Sequence, residues 1–129
     1  VYLCGINQYD LMNTLAVVRG AAITWTIIIL LGCSLPGPDI PPVLTVWHDK
    51  WMHIAIFVPF GWLWILAGYR AVPVLLAGIV YGGFIEICQG ILPIHRSADV
   101  QDAIADAVGT VIGIALGLVW QRLFQKQRL

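Results

Sequence analysis

Apolar residues run along this chain in four long blocks, without the strict two-residue alternation that marks the strands of a membrane barrel. The blocks cover residues 15–35, 51–69, 72–92 and 102–124. Each is close to the roughly 20 residues a helix needs to cross a hydrocarbon core at ~1.5 Å per residue. The pattern predicts an all-α membrane protein, a bundle of four transmembrane helices formed by residues 15–124. Residues 1–14 are mixed in character and predict no defined element, and residues 125–129 form a basic tail.

The breaks between blocks are informative. The first connection, Pro36-Gly37-Pro38-Asp39-Ile40-Pro41-Pro42, is stiff and non-helical because its prolines lack amide donors. It reads as a connector or as a lid over the helix ends. The second, Arg70-Ala71-Val72-Pro73, is so short that the second and third blocks must form an antiparallel hairpin, with Pro73 in the first turn of the next helix. Pro59 interrupts the second block, frees the Ala55 carbonyl and predicts a kink. Glycines recur every fourth residue at Gly109, Gly113 and Gly117, and at Gly78 and Gly82. That spacing lets helix backbones approach closely, within the bundle or against another membrane subunit.

Composition agrees with a membrane environment. The chain is 60% hydrophobic and 11% charged, against about 25% charged in a typical soluble domain. Formal net charge is zero, so nothing points to a nucleic-acid partner. Cys4, Cys33 and Cys88 are an odd set that suggests buried small residues, not a disulfide framework. Residues 32–36 loosely resemble a signal cleavage site, but the apolar run before them is long for a signal peptide. If four spans alternate, Arg19, Arg70, Arg122, Lys126 and Arg128 share one side, and Lys50 and Arg96 the other. The positive-inside rule then puts both termini in the cytoplasm and turns the connections 36–50 and 93–101 outward. Trp47 and Trp51 suit the outer interface, and Trp62, Trp64, Tyr69 and Trp120 the inner one.

One residue breaks the apolar pattern sharply. Glu86 is the only side chain in block 72–92 that is charged at neutral pH when free in water. A carboxylate at the centre of a membrane helix costs roughly 2.5–3.5 kcal/mol on insertion scales, so it normally faces protein or water and has a partner. The partners on offer are Gln89, Arg96, Asp99, Asp102 and Asp106. On a helix, Glu86 and Gln89 share a face, as do Asp49 and His53. Asp99, Asp102 and Asp106 form a stripe that Gly109 and Gly113 continue, which turns these carboxylates into the bundle. Asp49 also has the character of a helix N-cap. Three blocks thus deliver ionisable groups to the same end of the bundle.

Several chemistries fit such a cluster. Lys50 and Arg96 are suited to a phosphate or carboxylate, Arg96 by its bidentate fork. Glu86, Asp106 and His53 are candidates for acid–base or proton-carrier roles. The acids and His53 could together hold a hard divalent cation, but no metal motif is recognisable, and neither metal nor cofactor is expected. Ser34 and Ser97 lie in no nucleophile motif, which argues against a serine hydrolase.

The ordered set Ser34-Leu35-Pro36, Asp49-Lys50-x-x-His53 and Glu86-x-x-Gln89-x6-Arg96-x-x-Asp99-x-x-Asp102-x3-Asp106-x-x-Gly109-x3-Gly113 resembles the VanZ-like family of small bacterial membrane proteins, over about residues 15–123. One position departs from the pattern: Asp106 stands where the family usually carries asparagine, so this chain adds an ionisable group. The resemblance implies four spans, a multi-pass location in the bacterial cytoplasmic membrane and a cell-envelope context, since the family's namesake is associated with low-level teicoplanin resistance. The leading expectation is an outward-facing polar site, made of Asp49, Lys50, His53, Glu86, Gln89, Arg96, Asp99, Asp102 and Asp106. It would bind an anionic envelope component such as a lipid-linked or peptide-bearing precursor, with Gln89 orienting Glu86. The alternatives are a membrane-embedded acid–base enzyme acting on an extracytoplasmic substrate, and an accessory subunit of a larger membrane complex. Membrane lipids are partners in every case.

Overall fold

The computed structural model describes residues 8–35, 42–94 and 96–126, and the side chains among these except 42–48, 125 and 126. Four helices follow in order: α1 (Gln8–Cys33), α2 (Pro42–Leu66), α3 (Ala71–Ile91) and α4 (Val100–Lys126). No strand occurs among the described residues. Helices α1, α3 and α4 are long and apolar enough to cross a membrane. At 25 residues α2 is of similar length, and it carries Asp49, Lys50, His53 and Pro59. The proline-rich segment 36–41, Cys4, the side chains of Trp47 and Lys126, and Arg128 lie outside what is described.

The helices alternate in direction, and side chains tie them at both ends. Gln89 Nε2 donates to the Cys33 carbonyl at 3.1 Å, joining the C-terminal ends of α3 and α1. At the opposite end Arg19 Nε donates to the Ala67 carbonyl at 3.2 Å, and Gln121 Nε2 to the Ile65 carbonyl at 2.9 Å. Mid-bundle, Trp25 Nε1 donates to the Ile56 carbonyl and the Tyr81 hydroxyl to the Thr26 carbonyl. In hydrocarbon such bonds replace the solvation that water would give. The Ile56 carbonyl lies one turn before Pro59, so α1 meets α2 where proline weakens the helix's own ladder.

The α2–α3 connection is as short as the sequence predicts but lies three residues earlier, at Ala67–Arg70. Gly68 N–H donates to the Ile65 carbonyl and Tyr69 N–H to the Trp64 carbonyl. This is a Schellman cap, with Gly68 in the left-handed region at φ 95°. Trp64 and Tyr69 complete it with an edge-to-face contact at 5.2 Å between ring centroids. The chain then turns directly into α3, with Pro73 in its first turn as expected.

The glycine stripe of α4 is used inside the bundle, against α2. A Cβ at Gly109 would stand 2.6 Å from the Ile54 carbonyl oxygen, and one at Gly117 2.8 Å from the Ile65 side chain. Gly61 answers from α2: a Cβ there would come within 2.5 Å of the Thr110 carbonyl oxygen. On the other flank of α4, Gly78 and Gly82 of α3 receive Thr110 and Asp106. An aromatic core of Phe57, Phe60 and Tyr81 lies within the bundle and packs with Ile29, Cys33 and Ile85. His53 stands one helical turn before Phe57 on α2, so this core forms the floor beneath the polar end.

Candidate functional site

The polar residues meet where α2 and α4 begin and α3 ends. His53 enters from α2, Glu86 and Gln89 from α3, and Asp102 and Asp106 from α4. All five are buried: Asp106 is 0% exposed, His53 2% and Glu86 5%. Glu86 therefore faces protein, as its cost in hydrocarbon requires.

At the bottom, His53 Nδ1 donates to Asp106 Oδ1 at 2.8 Å. Thr110, which the sequence did not single out, lies one turn below Asp106 and is fully buried. Its hydroxyl donates to the Asp106 carbonyl at 2.8 Å. A serine or threonine that bonds back to its own helix is common, so only the three-dimensional packing against Gly78 distinguishes it. Asp106 can occupy this position because α3 presents glycine there. A Cβ at Gly82 would stand 2.8 Å from Asp106 Oδ2.

Above this pair, Asp99 organises the connection between α3 and α4. Its backbone N–H donates to Glu86 Oε2 at 2.8 Å, and its Oδ1 accepts from Gln101 N–H at 2.8 Å. Asp99 is thus the N-cap of α4. This corrects two expectations. The capping carboxylate belongs to Asp99; Asp49 lies seven residues inside α2, which starts earlier than its apolar block. And Glu86 finds its partner in a backbone amide, while Gln89, expected to orient Glu86, instead reaches α1.

The two cations sit at the rim. Lys50 Nζ lies 3.5 Å from Asp99 Oδ2, and Arg96 Nη1 lies 4.0 Å from Asp49 Oδ1. Both pairs are partly exposed and loosely held, and exposed pairs of this kind contribute little to stability. The charges are therefore stratified: cations paired at the mouth, acids and one imidazole below. Among the described residues, no donor reaches Glu86 Oε1, Asp102 Oδ1 or Asp106 Oδ2. His53, Glu86 and Asp106 each bring a potential ligand atom to within 4.8 Å of the others, and so do Asp49, His53 and Asp102.

Beside the mouth a cavity of about 310 Å³ lies between α2 and α4. Trp51, Ile54, Ile104, Ala105 and Val108 line it together with Lys50 and Gln101, and its surface is almost wholly apolar. An apolar trough thus runs alongside the charged mouth, with Lys50 common to both.

A family model described as VanZ/LLP1 matches residues 34–121. The chain belongs to the VanZ/LLP1 family. The match takes in all of α2 and α3 and most of α4, and with them every residue of the polar end; it leaves out α1, which the resemblance in the sequence had included. With three helices able to cross a membrane, this is a membrane protein of that family. No curated protein and no solved structure matches the chain.

Proposed function

We propose that this protein binds the anionic head of an envelope amphiphile at the polar end of a four-span bundle, with that end facing outward from a bacterial cytoplasmic membrane and both termini in the cytoplasm. The observation that carries the reading is the junction at Lys50. There Lys50, whose ammonium group is loosely paired at the charged mouth, also lines an apolar trough. A lipid-linked phosphate would set its oxygens against Lys50 and Arg96 and its chain or apolar substituent along Trp51, Ile54 and Ile104. Asp99 and Asp49 hold the cations in place without the ligand and exchange them for it. The rim pairs are weak enough to be exchanged, whereas a charge-assisted bond to phosphate contributes roughly 1.5–3 kcal/mol.

The test is binding of phosphatidylglycerol to the purified protein, with phosphatidylcholine as control, followed by native mass spectrometry or by fluorescence of a labelled lipid. Arg96→Ala should weaken phosphatidylglycerol binding by about tenfold or more, which corresponds to the lower end of that energy range. Equal binding by wild type and Arg96→Ala removes the proposal.

A second reading rests on the buried His53–Asp106 bond. A carboxylate that fixes an imidazole in one orientation is the arrangement by which a histidine is prepared for proton transfer. In that reading Glu86 completes an acid–base set beneath the bound head group. Glu86→Gln would then keep lipid binding and lose turnover, and full turnover by Glu86→Gln would eliminate Glu86 from proton transfer.

A further inference from the structure

We infer that His53, Glu86 and Asp106 form a binding site for one divalent transition-metal ion of the zinc or manganese class, beneath the mouth proposed to hold the anion. The inference deepens that reading but rests on separate residues and separate observations.

The first observation is charge. Glu86, Asp102 and Asp106 are buried together, and the nearby cations are engaged elsewhere, Lys50 with Asp99 and Arg96 with Asp49. His53 is the only basic side chain bonded to any of these three acids among the described residues. Buried carboxyl groups without a cation must either take up protons or carry an uncompensated charge, which costs several kcal/mol. A divalent ion bound by neutral His53 would let Glu86 and Asp106 stay ionised, its two charges offsetting theirs.

The second observation is free ligand capacity. Glu86 uses Oε2 on the Asp99 amide, and Oε1 has no donor. Asp106 uses Oδ1 on His53, and Oδ2 has none. Both residues are at least nine-tenths buried. His53, Glu86 and Asp106 come from three different helices, yet each has a nitrogen or carboxylate oxygen within 4.8 Å of one from each of the others. Metal–ligand bonds of about 2.0–2.2 Å place neighbouring ligands roughly 3 Å apart, so small side-chain movements close this set around an ion.

The third observation concerns support and access. The Asp99 amide fixes Glu86, and the absent Cβ of Gly82 gives Asp106 its room. Outer contacts of this kind are what orient first ligands in metal sites. Asp49 and Asp102 form a second group around the same His53. Asp49 is only partly buried, so this second group extends from the mouth down to His53. One imidazole with two carboxylates suits zinc or manganese better than calcium, which takes six to eight oxygens.

The experiment uses tag-free, full-length protein in detergent, stripped with a chelator and dialysed against ZnCl2 or MnCl2, with bound metal counted by mass spectrometry. About one ion per chain is expected. Glu86→Gln and Asp106→Asn should each weaken binding at least about tenfold, with helical circular dichroism unchanged. Arg96→Ala should bind metal like wild type even where it has lost phosphatidylglycerol, so either proposal can fail alone. Where a variant does not fold, wild type loaded with Mn²⁺ still decides: pulsed electron paramagnetic resonance should detect ¹⁴N coupling from His53. No bound metal, Mn²⁺ without that coupling, or well-folded Glu86→Gln and Asp106→Asn proteins that bind like wild type would each overturn the inference.

Discussion

Asp106 and His53 make the strictest demands on this structure, because each is buried and each is the other's side-chain hydrogen-bond partner. Removing one leaves a polar group without compensation, and breaking a buried ion pair typically costs about 3–5 kcal/mol. His53→Ala should therefore lower stability by an amount in that range if the pair is ionised, measured by unfolding in detergent. Asp106→Asn retains an acceptor for His53 Nδ1 and should cost clearly less. Equal losses from the two substitutions would show that charge, not the hydrogen bond, is what His53 requires. At this scale the sequence was legible in residue type and periodicity: a carboxylate in a membrane block needs a protein neighbour, and helical spacing put the acids on shared faces. It was not legible in pairing. Arg96 could have met any of several acids, and only the path of the 92–99 connection brings it to Asp49 and brings the Asp99 amide to Glu86.

Among the elements, α2 and α4 are the pair on which the site depends, since His53 and Asp106 approach only as closely as their backbones do. Gly109 and Gly61 permit that approach at positions where the nearest opposing atoms are backbone carbonyls, which cannot rotate aside as a side chain can. Gly109→Ala should destabilise the bundle by about 1–3 kcal/mol, the usual range for overpacking, and should weaken any ligand or metal bound above it. Gly83 is a built-in control, because a Cβ there meets nothing within 4 Å, and Gly83→Ala should be neutral or slightly stabilising. Thermal unfolding of both variants in the same detergent decides the matter. The every-fourth-residue glycines announced close packing, but spacing alone names no partner. Their use against α2 and α3 takes away one of the sequence features that favoured an accessory subunit docked on the glycine face. The extra turns of α2 before Asp49 were hidden because they fall outside the apolar block that marked the helix, and that concealment made Asp49 look like a cap.

For the molecule as a whole, function depends on which side of the membrane the polar end faces, and Lys and Arg placement makes a definite statement about this. Arg19, Arg70 and Arg122 belong to the end opposite the site, where Arg19 also holds the Ala67 carbonyl. Moving such charges outward through the bilayer is unfavourable, so the bundle should insert with Arg70 in the cytoplasm and the 92–99 connection outside. Ser97 and Arg70 are both exposed, and α3 separates them. In a background with Cys4, Cys33 and Cys88 replaced, Ser97→Cys should react with a membrane-impermeant maleimide on intact cells. Arg70→Cys should react only after the membrane is opened. The reverse pattern would place the site in the cytoplasm and exclude an extracytoplasmic head group as its ligand. Labelling of both cysteines from outside would mean that α3 does not cross the bilayer. In that case the burial of Glu86 would owe nothing to a hydrocarbon surround, and the membrane argument for the site would fail with it.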